Sequence, residues 1–159
     1  MTTAMKQTAE TRGAPSGNAT SALVAEALTE VLAGTYRLVL KSHIYHWNVT
    51  GPLFVALHDM TEAHYTDMFT AVDVLAERLR ALGKPALVSL ATDGHEADAS
   101  LAADGMIKDL LSDHEALAAR MRALVGTAEA ADDPVTADLA TARADFHEKA
   151  AWMLRALAA

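Results

Sequence analysis

His58 and Glu62 stand four residues apart, and Asp73 and Glu77 repeat that spacing fifteen residues further on. Within a helix each pair shares one face. At 100° per residue, Glu62, Asp73 and Glu77 lie about 40°, 60° and 100° round from His58, so all four project into one stripe. An imidazole and three carboxylates are ligands for a divalent cation. At the rise of an α-helix, however, the two pairs are about 22 Å apart, too far to touch one ion. A single chain carries two half-sites that cannot meet.

A two-fold axis resolves the problem. When two copies cross antiparallel, His58 and Glu62 of one face Asp73 and Glu77 of the other, and the operation makes two equal sites. His46 is the natural further ligand, because it ends a preceding helical stretch that the Gly51-Pro52 turn folds back beside the start of the next. Two imidazoles and three carboxylates from two chains suit Fe(II), which accepts mixed nitrogen and oxygen donors, and the same donors accept zinc. Di-iron centres held inside one bundle use Glu-x-x-His on two helices. The residues three before the seven histidines are Leu40, His43, Val55, Thr61, Thr92, Leu111 and Ala144, none of them acidic. Spacing alone also admits a plainer reading, in which the acidic pairs are a solvated face of a helical interaction module.

Residues so spaced need long helices, and the hydrophobic periodicity supplies four. The first runs from about Ala22 to about Asn48. The second begins with Pro52 at its first position, carries Leu57, His64, Met68, Leu75 and Leu79 inward, and closes at Gly83. A link over 84–99, with Ala86-Leu87-Val88-Ser89-Leu90 as a possible short helix, is long enough to cross the bundle. The third helix spans about Ser100 to Val125 with Gly126 after it, placing Ile107, Leu110, His114, Leu117 and Met121 on one face. Asp133 as N-cap and Pro134 at N1 open the fourth, with Val135, Leu139, Ala142, Phe146, Ala150, Met153 and Leu157 inward. The fold class is therefore all-α, a four-helix bundle with a crossover connection over 19–159, preceded by a polar, flexible tail over 1–18.

Composition agrees. Of 159 residues 52% are hydrophobic and only 5% aromatic, a balance that favours helices. The absence of Cys excludes disulfides and thiolate metal sites. A net charge of −8 is the wrong sign for a body that grips nucleic acid and the right one for attracting cations. No apolar run is long enough to span a membrane and no signal-like stretch opens the chain, so the expected location is the cytoplasm.

His46-Trp47-Asn48-Val49-Thr50-Gly51-Pro52, then Leu57-His58, then Asp73-Val74-Leu75-Ala76-Glu77-Arg78 resembles the signature of the Dps family, the DNA-binding proteins from starved cells. The likeness continues through Leu82-Gly83, Thr136-Ala137-Asp138-Leu139 and Trp152-Met153-Leu154, covering roughly 22–157. It implies a ferritin-like subunit of a hollow dodecamer that oxidises Fe(II), with hydrogen peroxide or dioxygen as oxidant, and stores the ferric mineral. By the family pattern, His46, His58 and Glu62 come from one subunit and Asp73 and Glu77 from its two-fold partner. Trp47 resembles the family's aromatic beside the iron. Iron would enter by acidic pores at three-fold axes, for which Asp138 is the first candidate and Asp133 and Asp145 the next. DNA binding by the tail is expected to be weak, since only Lys6, Arg12 and the amino terminus oppose Glu10 there. The alternative function is a nucleoid protein that compacts DNA with secondary iron activity.

Overall fold

The structure, a computed structural model, describes residues 17–88 and 96–158. Four helices account for nearly all of them: α1 (Gly17–Asn48), α2 (Phe54–Ala81), α3 (Ala103–Ala130) and α4 (Pro134–Leu157). No strand occurs among the described residues. None of these helices is long and apolar enough to cross a membrane.

Side-chain pairings give the directions. The end of α1 meets the start of α2 where His46 packs on His58. Lys41 and Tyr45 of α1 reach Asp109 near the start of α3, and Arg78 near the end of α2 reaches Asp133 at the start of α4. α1 is thus antiparallel to both α2 and α3, so α2 and α3 run the same way. The described ends of the link, 84–88 and 96–98, therefore lie at opposite ends of the bundle, as a crossover connection requires. Tyr45 pins the far end of that link by accepting the N–H of Asp98 at 3.3 Å.

Two apolar clusters share the core. One gathers Leu28, Leu32, Leu75, Leu79, Met121 and Leu124, and the other Leu38, Tyr45, Leu57, Met68, Ile107, Leu110 and Leu154. Close approach of α1 and α3 is set by Gly34, where a Cβ would stand 2.8 Å from Cδ2 of Leu117.

Five boundaries or faces differ from the sequence expectation. α1 begins at Gly17 rather than near Ala22, because propagating a helix already nucleated by the apolar stretch after it costs little even over weak formers such as Gly17, Asn18 and Thr20. Pro52 is not the first residue of α2. It lies in a tight turn closed by Phe54 N–H donating to Gly51 O at 3.0 Å, with Gly51 at φ 87°. The third helix starts at Ala103 and does not stop at Gly126 but continues one turn to Ala130. Its stop is a Schellman closure in which Asp133 N–H donates to Ala128 O at 2.9 Å, with Asp132 in the left-handed region at φ 56°. The inward stripe of α4 is Thr136, Ala137, Ala140, Ala144, His147, Ala150, Ala151 and Leu154. Small side chains let α3 and α4 approach closely, which turns Val135 and Ala142 outward and leaves Leu139, Phe146, Met153 and Leu157 on the flank. Of the link, 84–88 and 96–98 are irregular, whereas the rest of the expected short helix, Ser89-Leu90, lies outside the described residues, as does most of the tail.

The remaining stop signals act as read. α2 ends in a Schellman motif, with Lys84 N–H on Leu79 O and Gly83 N–H on Arg80 O, both at 3.0 Å, and Gly83 at φ 74°. Asp133 caps α4 by accepting Thr136 N–H at 3.0 Å, with Pro134 following at N1.

Candidate metal centre

The last four carbonyls of a helix have no partner within it. His46 sits in that last turn of α1, and the 49–53 turn brings its carbonyl against the first turns of α2. His58 Nδ1 donates to His46 O at 2.9 Å, and His46 Nδ1 donates to His58 O at 2.9 Å. A carbonyl can only accept, so both imidazoles carry their proton on Nδ1. In its neutral form each ring so bonded leaves Nε2 unprotonated with its lone pair free, the form in which imidazole binds a metal.

The two rings stack with centroids 3.7 Å apart and 16° between planes. Phe54 covers the outer face of His58 at 4.9 Å. Tyr65 meets His46 edge-on at 5.4 Å. These contacts hold both imidazoles in place without taking up their Nε2 atoms.

Glu62, one turn after His58, completes the group. One ligand atom from each of His46, His58 and Glu62 lies within 4.8 Å of the others, the two histidines half-buried and the carboxylate exposed. Bonds near 2.1 Å hold ligand atoms no more than about 4.2 Å apart, so these atoms stand at, or a small side-chain adjustment from, the spacing that one cation needs. It is the only such group among the described residues. Asp73 and Glu77 lie outside it. Both are exposed on α2 and take no part in a hydrogen bond or ion pair among the described residues.

Trp47 is exposed and stacks on His43 at 5.4 Å. His43 in turn lies on Tyr65 at 3.8 Å. Burial, and then the nearby His46, hold the His43 imidazole below its ordinary pKa, so it neighbours the group as a neutral ring. Neither Phe54 nor Tyr65 stands out in the sequence, since ring contacts between α1 and α2 depend on how the helices are rotated. The aromatic spacing Phe54/His58 at i, i+4 was the one available signal.

The three acids near α4 differ in their surroundings. Asp133 is committed: besides capping α4, it accepts Thr136 Oγ1 at 2.6 Å and Arg78 Nη2 at 2.7 Å. Burial alone would raise its pKa, but the bonds from Thr136 and the Arg78 guanidinium hold it below the ordinary aspartate value. Asp138 and Asp145 are exposed on α4.

The ferritin-like domain family matches residues 25–159. An uncharacterised low temperature-induced protein of Nostoc is 38% identical, over 80% of this chain and 75% of its own length. A DNA protection during starvation protein of Brevibacillus brevis is 35% identical, over 84% of this chain and 93% of its own. Among solved structures, Dps from Thermosynechococcus elongatus superposes with a TM-score of 0.84 at 28% identity, covering 90% of this chain and 94% of that one. The Dps protein of Vibrio cholerae, described as a member of a broad superfamily of ferritin-like diiron-carboxylate proteins, gives 0.79 at 28% identity, covering 87% and 91%.

Proposed function

This chain belongs to the Dps family of ferritin-like proteins, and on that premise we propose that it oxidises Fe(II) at a centre shared between two copies and stores the ferric product inside a hollow dodecamer. The observation that carries the reading is the His46–His58–Glu62 group, with two free Nε2 lone pairs and one carboxylate already gathered on one chain. Fe(II) is the substrate, and the donor set suits it: imidazole and carboxylate together leave coordination positions for an oxidant.

Asp73 and Glu77 are the complementary half. They are exposed and unpaired among the described residues, and at about 22 Å along α2 they serve only a second copy. Glu62, Asp73 and Glu77 together place three negative charges around the cation, which favours the ferric product over the ferrous substrate. With peroxide, the O–O bond breaks and takes two electrons, one from each of two Fe(II), and both oxygens leave at the level of water. That stoichiometry bypasses the one-electron route to hydroxyl radical. It fits the relative from Brevibacillus, a DNA protection during starvation protein. Zinc in the same ligands would act as a redox-inert competitor.

Phe54 flanks the group through His58 and Trp47 stands beside it through His43, and Asp138 is the first candidate for the iron-entry pore, ahead of Asp145. The test combines size and stoichiometry. The particle should have a mass of about 200 kDa, twelve copies of 16.8 kDa, and should consume peroxide with two Fe(II) oxidised for each. His58→Ala with Asp73→Asn should abolish rapid oxidation and leave the particle intact. A monomer in light scattering, or undiminished oxidation by that variant, would refute the proposal.

A further inference from the structure

Three imidazoles in the bundle core take no part in the iron chemistry. His64 of α2, His114 of α3 and His147 of α4 are all buried, the last two at 0% exposure. Ring centroids are 5.1 Å apart between His64 and His114 and 5.2 Å between His114 and His147. Nδ1 of His114 lies 2.9 Å from Nδ1 of His147. Two ring nitrogens at that distance share a single proton, one donating and the other accepting. A neutral imidazole has one N–H, so the donor ring has a bare Nε2 and the acceptor ring carries its proton on Nε2. Both Nε2 atoms are buried without a partner. The pair is joined as a neutral dimer, and among the described residues nothing bonds either Nε2 and no anion lies there to neutralise a further proton.

Charge around the pair is already balanced or positive. Arg143 of α4 lies over the Phe146 ring at 4.3 Å and pairs with Asp67 of α2 at 2.7 Å. Its own Nε and Nη2 are buried and unpartnered. His64 faces the pair from α2. The acids adjacent in sequence are engaged elsewhere: Asp113 with Lys41 of α1, Glu115 with Arg155 and Glu148 with Arg122. Burial first, and then Arg143, push His147 down to about 3. Burial, followed by His147, His64 and Arg143, holds His114 well below its ordinary value.

We propose that the His114–His147 pair is an acid-sensitive latch between α3 and α4, closed while neutral and forced open when protons arrive. A first added proton buries a cation beside Arg143, and a second sets two N–H groups against each other at hydrogen-bond distance. The pair accepts them only by separating and reaching water, which parts α4 from α3. The sign follows from linkage. Both rings bind protons less readily folded than unfolded, so their contribution to stability is complete above the unfolded value, about 6.5, and falls as pH drops toward the folded values. Each ring lowers the folding equilibrium by about tenfold per pH unit in that window, and the two together by about a hundredfold.

The test compares acid unfolding of the full chain with that of His114→Leu/His147→Leu, followed by circular dichroism and by proton uptake. The leucine pair fills the space and removes both titrating rings. The expected result is a midpoint at least about one pH unit lower, with about two fewer protons taken up in the transition. Equal midpoints and equal proton counts overturn the latch. Should the double variant fail to fold, histidine C2-proton exchange read by mass spectrometry reports each ring in the unaltered protein. Both rings staying neutral until the helices melt supports the latch. Independent titration near the ordinary histidine value, with the helices intact, overturns it.

Discussion

A carboxylate at the start of α4 has two available roles, holding the bundle together or guiding iron, and replacing Asp133 separates them. Asp133→Ala removes the N-cap that accepts Thr136 N–H at 3.0 Å, a loss of about 1 kcal/mol. It also strips Arg78 of its partner at 2.7 Å, where the guanidinium side chain is only 20% exposed. Leaving a largely buried charge short of a bond costs about 1–3 kcal/mol. The sum is about 2–4 kcal/mol. Because the folded pKa of Asp133 is depressed, its contribution is full above the unfolded aspartate value, about 3.9, and is lost as pH falls through the lower folded value. The deficit of the variant should therefore be largest near neutrality and shrink in acid. Denaturant unfolding at several pH values measures it, and stopped-flow uptake of Fe(II) supplies the control. Asp133→Ala should leave the initial uptake rate alone, whereas Asp138→Asn should slow uptake with a stability change under about 0.5 kcal/mol. An Asp133→Ala protein within about 0.5 kcal/mol of its parent, or one that loses uptake as Asp138→Asn does, would refute the reasoning.

Three further substitutions test the packing. Gly126→Ala lies inside α3 with nothing within 4 Å of the added Cβ, and should raise stability in urea by about 0.5–1 kcal/mol. Tyr45→Phe removes the phenol that donates to Asp109 at 2.5 Å and should cost about 1.5–3 kcal/mol in the same assay. Gly34→Ala drives a Cβ to 2.8 Å from a terminal methyl of Leu117; overpacking of about 1–3 kcal/mol, offset by about 1 kcal/mol of helix propensity, should leave a net loss of up to about 2 kcal/mol, with a lowered melting temperature as the readout.

Much of the fold was legible because its signals are local. Gly83 and the Asp133-Pro134 pair punctuate the chain where the structure does, and the α3 stripe from Ile107 to Met121 is buried as the periodicity requires. Gly126 misled because a glycine facing solvent in mid-helix costs only about 1 kcal/mol, less than the packing around it supplies. The true stop uses Asp132 in a conformation usually left to glycine. α4 misled because, Leu154 apart, its large apolar residues lie off the core and its alanines line it, an arrangement chosen by the closeness of α3 rather than by hydrophobicity. At the site, the grouping of His46, His58 and Glu62 follows from the turn after Asn48 and the i, i+4 rule. The reciprocal Nδ1–carbonyl bonds do not follow, because they depend on the depth at which α1 meets α2. The His114–His147 contact was hidden for the same reason: periodicity places each histidine inward and says nothing about which nitrogens face.

The central claim is that the iron centre is divided between two chains, and subunit mixing tests it most directly. One variant, His46→Ala/His58→Ala, lacks the imidazole half, and the other, Asp73→Asn/Glu77→Gln, lacks the partner's carboxylates. Each alone should be inactive in peroxide-driven Fe(II) oxidation. Co-assembled in equal amounts, half of the two-fold pairs are mixed, and each mixed pair rebuilds one of its two sites, so about a quarter of the unaltered rate should return. A mixture no faster than its parents would contradict the shared centre.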